Sequence, residues 1–158
     1  MQSLLDAGSP AGNFNYWKSN FLRALSDEAI ETMILHFGRV PSPNSGLLIE
    51  QIGGAVARVN DDATAFNQRS SPFNFLALGT WTDPTQTPQN VAWTRDAFDA
   101  MQPFTSGGVY LNYLGDEGQD RVRAAYGAPK YERLVALKNK YDPTNLFHLN
   151  QNIQPATA

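Results

Sequence analysis

Apolar side chains first recur at helical spacing between residues 26 and 41. Ser26 is suited to cap a helix, because its hydroxyl can accept a hydrogen bond from an exposed N–H group of the first turn. Gly38 and Pro41 are typical of the end of a helix. The positions between them carry one apolar stripe, which consists of Ile30, Met33, Ile34 and Phe37. This spacing predicts an amphipathic helix over 27–37.

Short apolar segments bounded by Gly, Pro and Asn predict the strands of the fold. These segments lie at 47–52, 55–59, 73–78 and 109–113. The segment 73–78 is almost wholly apolar, so we expect it to be buried. The segment 109–113 alternates in character, which is typical of a strand with two different faces.

Further helices are predicted in the second half of the chain. Thr87 is placed to cap one of them, with Pro88 in the first helical position, where its missing N–H costs nothing. Two others are predicted over 117–126 and 129–141, and residues 144–155 are rich in Asn and Gln and predicted to be irregular. The order of elements predicts an α+β fold, in which helices cover an antiparallel sheet and an irregular tail follows.

Composition narrows the class of protein. The chain has 158 residues, 42% of them apolar and 17% charged, so it can bury a core and is not disordered by composition. Its net charge of −3 leaves no basic excess for nucleic acid, and it has no apolar run long enough to span a membrane. The N-terminus does not resemble a signal peptide. With no cysteine and two distant histidines, no metal site is predicted.

Two tyrosines and one glutamate are the candidate chemical groups. In a strand, Tyr110 and Tyr113 would point to opposite faces unless a bulge intervened. A buried tyrosine beside a charged partner can act as a general base if its pKa falls toward neutrality; otherwise both tyrosines are core residues. Glu50 lies in an apolar strand, where it is either paired in the interior or directed to water.

Segments spread over nearly the whole chain resemble, in order, the berberine-bridge-enzyme-like flavoproteins, which are FAD-linked oxidases of the vanillyl-alcohol-oxidase superfamily. The most specific of them is the tail, with Lys-Asn-Lys-Tyr-Asp-Pro-Thr-Asn-Leu-Phe at 138–147 and Asn-Gln-Asn-Ile-Gln-Pro at 150–155. The others are Tyr-Trp-Lys-Ser at 16–19, Gly-Gly-Ala at 53–55, Asp-Ala-Thr-Ala-Phe at 62–66 with Arg69, Gly-Val-Tyr-Leu-Asn-Tyr at 108–113, and the run 121–137 with Tyr126-Gly127 and Tyr131-Glu-Arg-Leu134.

The resemblance implies that the chain corresponds to the C-terminal third of such a flavoprotein. Residues 1–115 would then be the second part of the substrate-binding domain. Residues 116–158 would be the C-terminal helices and the tail that returns to an FAD-binding domain, which this sequence does not include. FAD is the implied cofactor. The implied partners are a small-molecule substrate and the FAD domain, in the same protein or in a partner chain.

The same resemblance implies roles for individual residues. Tyr113 would be the base that removes a proton from an alcohol, a sugar or a similar substrate, and Tyr110 a substrate contact, or the reverse. A hydride would pass to flavin N5. Glu50 lies four positions before Gly54, where some carbohydrate oxidases of the family have an acid that assists the tyrosine. Asn112 and Asn150 match positions that contact the flavin.

Two other interpretations remain open at this point. The chain could be a non-enzymatic module that uses the same fold for ligand binding or oligomerisation, or a small α+β scaffold whose tyrosines only fill the core. As part of a larger domain it would also expose apolar surface, so we expect self-association unless another chain covers that surface.

Overall fold

A three-stranded antiparallel sheet lies at the centre of the protein, with the strands in the order β1–β3–β2. The computed structural model describes residues 11–156. The strands are β1 (Phe14–Leu22), β2 (Gly46–Gln51) and β3 (Phe73–Trp81). The helices are α1 (Asp27–Phe37), α2 (Ala55–Arg58), α3 (Thr87–Ala100), α4 (Gln119–Tyr126) and α5 (Ala128–Tyr141). The predicted α+β class and antiparallel sheet are confirmed.

One face of the sheet is covered by α1 and α3, and the main core lies between them. Alternate residues of β3 point toward these helices because successive strand side chains face opposite sides. The fully buried apolar residues of this core are Leu22, Ala29, Phe75, Ala77, Ala97 and Met101. The other face of the sheet is therefore formed by the intervening residues of each strand, which in β3 include Asn74.

Gly79 allows α3 to approach the sheet closely. A Cβ atom at this position would lie 2.5 Å from Thr94 Oγ1 and 2.9 Å from the Tyr16 carbonyl oxygen, so the helix or the strand would have to move. We expect Gly79→Ala to lower the free energy of unfolding by about 1–3 kcal/mol in urea denaturation. Gly46→Ala is the control, because a Cβ there meets no atom within 4 Å. Equal unfolding midpoints for the two variants would contradict the prediction.

A second, smaller core joins the C-terminal helices to the segment that precedes them. Val109 and Leu114 pack there against Val122 and Ala125 of α4, and Ile153 of the tail covers them. The division predicted between residues 115 and 116 stays a prediction. Every helix within 11–156 is too short or too polar to cross a lipid bilayer.

The strand predicted at 109–113 is wrong. The residues before this segment make backbone hydrogen bonds with the sheet: Phe21 N donates to Gly108 O, and Ser106 N donates to Phe21 O. Beyond Gly108 the chain leaves the edge of β1 and forms a single 3₁₀ turn, Leu111–Tyr113. An alternating pattern over five residues does not show whether a partner strand is within reach.

The strand predicted at 55–59 is also wrong, because that segment forms the short helix α2. Gly54 adopts φ 57°, a left-handed conformation that reverses the chain directly after β2 and that glycine adopts without strain.

The apolar stripe of α1 is only partly covered, since Ile34 is 66% and Phe37 60% exposed. Strand β1 was not predicted; its buried Ser19 and Asn20 interrupt the apolar pattern.

Candidate active site

The face of the sheet opposite the helices carries a row of three side chains that cross all three strands. Asn74 of β3 lies directly opposite Phe21 of β1 and Glu50 of β2. Directly opposed residues point to the same face. The amide Nδ2 of Asn74 donates to Glu50 Oε2 at 2.7 Å. Glu50 is therefore paired with a buried side chain, one of the two alternatives that its position left open.

The 3₁₀ turn brings the two tyrosines onto one side of the chain. Tyr113 N donates to Tyr110 O at 3.0 Å, the i to i+3 bond of such a turn. With three residues per turn, side chains three positions apart lie one above the other. The ring centroids of Tyr110 and Tyr113 are 5.1 Å apart and the rings meet edge to face at 85°. A strand would have separated them.

A continuous hydrogen-bonded chain runs from Tyr113 into the sheet. The Tyr113 hydroxyl donates to Glu50 Oε1 at 2.9 Å, while Oε2 of the same carboxylate accepts from Asn74. Trp17 packs against Tyr113 edge-on, with ring centroids 6.4 Å apart. Asn112 Nδ2 donates to the Tyr110 hydroxyl at 2.9 Å. Glu50, Tyr110, Asn112 and Tyr113 thus form one constellation.

The environment of Tyr113 favours its protonated form. Burial and the hydrogen bond to the anionic Glu50 raise the pKa of Tyr113 to about 12. A tyrosine that acts as a base needs a pKa near neutrality. Tyr113 does not meet this condition, because its charged partner is an anion, which raises the pKa, and not a cation, which would lower it. In this arrangement Tyr113 can accept a proton only as it passes its own proton to Glu50.

This raised pKa predicts a loss of stability in alkali. The folded chain holds the Tyr113 proton up to about pH 12, whereas an unfolded tyrosine loses it near its ordinary pKa of 10.0. The free energy of unfolding therefore falls progressively as the pH rises from about 10 to about 12. Below pH 10, protonated Tyr113 makes its full stabilising contribution. We expect wild-type protein to lose up to about 2 kcal/mol more than Tyr113→Phe over this interval. Urea unfolding at stepped pH measures it, and parallel curves for both proteins would contradict it.

Two cavities are lined by the Tyr113–Glu50 pair, one by Glu50 and the other by Tyr113. The larger, about 390 Å³, is lined by Glu50, Asn74 and Tyr110 together with Phe21, Ile52, Val56, Phe66 and Arg69. The smaller, about 260 Å³, is lined by Tyr113 and Asn112 together with Asn15, Trp17, Leu114 and Gly115. The first has mainly apolar walls, to which Glu50, Asn74, Arg69 and Tyr110 add four polar side chains. Such a cavity suits a small molecule with an apolar body and few polar groups.

Asn150 is exposed in the tail with φ 56°, and the hydrogen bonds within residues 11–156 do not join its side chain to Tyr110 or Tyr113. The tail nevertheless returns to the 3₁₀ segment, since Gln151 Nε2 donates to the carbonyl oxygen of Leu114. Asp142 orders the start of the tail: its carboxylate accepts from Leu146 N at 2.7 Å and pairs with Lys138. The structure thus places Asn150 one residue from a contact with the turn but outside the constellation.

Sequence reasoning missed Asn74 and did not place Trp17 next to Tyr113. The signal for Asn74 was present, because it is an amide inside an otherwise apolar strand at 73–78. An amide buried in a central strand needs a partner, which could have been sought among Glu50 and other polar strand residues. Trp17 gave no such signal, since tryptophan is common in cores.

This chain is similar to several known proteins. The family model described as "Berberine and berberine like" matches residues 109–154. The FAD-linked oxidoreductase YgaK of Bacillus subtilis is 34% identical over 133 residues, which cover 84% of this chain and 29% of that protein. Berberine bridge enzyme-like 17 of Arabidopsis thaliana is 31% identical over 176 residues, covering 98% of this chain and 32% of that protein.

A solved structure shows the same fold. BBE-like 1 of Physcomitrella patens superposes with a TM-score of 0.78 at 24% identity, over 92% of this chain and 31% of that one. The chain belongs to the berberine-bridge-enzyme-like FAD-linked oxidoreductases. The family resemblance of the sequence is thereby confirmed. The chain spans about a third of the length of the curated relatives that it matches.

The site residues of this berberine-bridge-enzyme-like chain fit one end of FAD. Asn112 is exposed beside Tyr113, and its amide can both donate and accept at the polar edge of a flavin ring. Trp17 and Tyr113 add aromatic surface next to it. The sequence contains no Gly-rich loop of the kind that binds a pyrophosphate. The donor set therefore suits the ring and leaves the phosphates to other residues.

Proposed function

We propose that this chain supplies the substrate-facing side of the active site in an FAD-dependent oxidoreductase that acts on an alcohol, a sugar or a similar hydroxylated substrate. The observation that carries the proposal is the 2.9 Å hydrogen bond from the Tyr113 hydroxyl to Glu50, beside two cavities. A neutral phenol in contact with a carboxylate can relay a proton. The reaction needs an FAD-binding domain, so we expect residues 1–158 by themselves to be inactive.

The relay works by two coupled proton transfers. A substrate hydroxyl donates its proton to Tyr113 Oη while the proton of Tyr113 moves to Glu50 Oε1, so no phenolate accumulates. The electron pair of the substrate O–H bond then forms the carbonyl as the adjacent C–H bond breaks. A bound FAD would supply the acceptor for the departing hydride. General base catalysis of this kind raises a reaction rate by about 10²–10⁴-fold.

The neighbouring residues orient the reacting groups. Asn112 holds the Tyr110 hydroxyl by a 2.9 Å hydrogen bond, which presents Tyr110 as a contact for the substrate. Asn112 would also meet the flavin edge. Asn150 would reach the flavin from the tail. Since Tyr113 is the tyrosine whose hydroxyl donates to Glu50, it can pass its proton on as it accepts another, and it is the better base of the two.

A chimera tests the proposal directly. Residues 11–156 replace the matching segment of the Bacillus subtilis relative YgaK, and the purified chimera is mixed anaerobically with a panel of alcohols and sugars. We expect it to carry FAD and to bleach with at least one substrate, whereas the isolated chain is colourless and oxidises nothing. Glu50→Gln in the chimera should slow bleaching by about tenfold or more. Bleaching at an unchanged rate in this variant, or oxidation by the isolated chain, would contradict the proposal.

A role in self-association is the second candidate, and the exposed apolar side chains favour it. Phe147 and Leu149 of the tail are 77% and 81% exposed, and part of the α1 stripe is also uncovered. Scattered exposed apolar residues are ordinary, but a contiguous set marks an interaction surface. We expect the isolated chain to form dimers or larger species in light scattering at micromolar concentration. A monodisperse monomer would exclude this candidate.

A further inference from the structure

We propose that Asn74 is a positioning residue that fixes the Glu50 carboxylate as the proton acceptor for Tyr113; this inference rests on the function proposed above. Asn74 is only 1% exposed and lies in the central strand, directly opposite Glu50. Its Nδ2 binds Glu50 Oε2 at 2.7 Å, while Oε1 accepts from Tyr113 at 2.9 Å. Each carboxylate oxygen thus has one donor, and the carboxylate is held from two sides.

Packing alone does not explain an amide at this position. The Oδ1 atom of Asn74 is buried and has no hydrogen-bond partner within the described residues. A buried polar atom left unpaired destabilises a protein, so an apolar residue would suit a central strand better. The residues beside Asn74 on the same face of the sheet are Leu76, two positions along β3, and Phe21, directly opposite in β1, and both are apolar. The group that gains from the amide is Glu50, which receives its hydrogen bond.

The choice of a neutral donor has a chemical consequence. A lysine or arginine in the same place would hold Glu50 equally well, but its positive charge would strongly favour the ionised carboxylate and weaken it as a base. An amide orients the carboxylate without neutralising its charge. Asn74 thereby keeps Glu50 able to take the proton that Tyr113 releases.

The other polar groups around Glu50 do not replace Asn74. Tyr113 approaches from the 3₁₀ turn, and Tyr110 lines the same cavity as Glu50. Arg69 is the charged group of that cavity wall, but its guanidinium donates to Val56 O at 2.8 Å and to Thr64 Oγ1 at 2.6 Å. The remaining wall residues near Glu50 are apolar. Removal of Asn74 would therefore free one side of the carboxylate.

The decisive measurement is the pKa of Tyr113 in the isolated chain. It is obtained from the pH dependence of the tyrosine Cζ signals in NMR of isotope-labelled protein, in which the Tyr113 signal is identified as the one that Tyr113→Phe lacks. In Asn74→Leu the released Glu50 turns to solvent, so the pKa of Tyr113 should fall toward its ordinary value, with about a tenfold larger acid dissociation constant. Glu50→Gln should produce a similar fall. Adding Asn74→Leu to Glu50→Gln should change nothing more, because the amide acts through the carboxylate.

Asn20→Leu is the matched control. Asn20 is equally buried, at 2% exposure, in the adjacent strand β1, and its Oδ1 accepts from Arg121 and not from the constellation. It should leave the pKa of Tyr113 unchanged. If Asn74→Leu does not fold, Asn74→Ser serves, since its side chain is too short to reach Glu50. An unchanged or higher pKa of Tyr113 in the folded variant would overturn the inference, because Glu50 would then hold its place without Asn74.

A second readout comes from the chimera with a flavin domain. Asn74→Ser should lower the rate constant of flavin reduction severalfold with little change in KM, and its pH profile should shift relative to the parent. Asn20→Leu should do neither. The NMR result decides the Asn74–Glu50 contact in the chain itself, even if the chimera oxidises no substrate. An inactive chimera therefore counts against the proposed function alone.

Discussion

Tyr113→Phe should slow reduction of the bound flavin by about 10²–10⁴-fold in a chimera that carries FAD. The change removes only the hydroxyl that contacts Glu50, so the aromatic ring still packs against Trp17 and Tyr110. Flavin content and folding should therefore be retained. Stopped-flow absorbance of the flavin under anaerobic conditions measures the rate directly.

Tyr126→Phe is the matched control for this experiment. Tyr126 is a partly buried tyrosine whose pKa is raised by burial alone, and it packs in the smaller core. Its loss should leave the rate of flavin reduction within about a factor of two, since among residues 11–156 Glu50 accepts its phenol hydrogen bond from Tyr113 and not from Tyr126. Equal rates for the parent and Tyr113→Phe would show that Tyr113 is not the base. A loss in Tyr110→Phe alone would assign the role to Tyr110.

Phe75→Ala should lower the free energy of unfolding by about 3–5 kcal/mol, the largest effect on stability expected in this chain. Phe75 is 0% exposed at the centre of β3 and packs in the core between the sheet and the helices. The variant loses the burial of the ring and leaves a cavity that the paired strands on both sides cannot close. Urea denaturation followed by circular dichroism measures the change.

Phe147→Ala is the control for Phe75→Ala, because it removes an identical ring that is 77% exposed in the tail. It should change the unfolding free energy by no more than about 0.5 kcal/mol. Similar losses in both variants would mean that the tail is packed against something in solution, as in a self-associated form. A small loss in Phe75→Ala would contradict the position of the core.

The local elements could largely be predicted from the sequence. The helix predicted at 27–37 matches α1, where the Ser26 hydroxyl accepts from Ala29 N as expected of a cap. The strand predicted at 73–78 is the core of β3, and the helix predicted at 129–141 is α5 within one residue. Caps, breakers and apolar spacing act within a few residues, so the local sequence determines them.

The candidate site could be predicted only in part. Glu50, Tyr110 and Tyr113 were candidates from the residue pattern, and the resemblance added Asn112. The structure brings these four together. Opposite orientations of the two tyrosines were expected only for an unbroken strand, and the structure forms a 3₁₀ turn there instead. Whether 109–113 forms a strand depends on how far the edge of β1 extends. That distance is a property of the folded chain.

The family of this protein, its α+β class and the residues that could carry chemistry can be inferred from the sequence alone, because motifs and local spacing depend on neighbouring positions. How those residues act depends on the folded chain. The strand register sets Asn74 opposite Glu50, and the exit of the chain from the sheet at Gly108 turns Tyr113 toward the same carboxylate. Contacts between residues 24 and 63 positions apart arise from packing of distant segments, which no local pattern encodes.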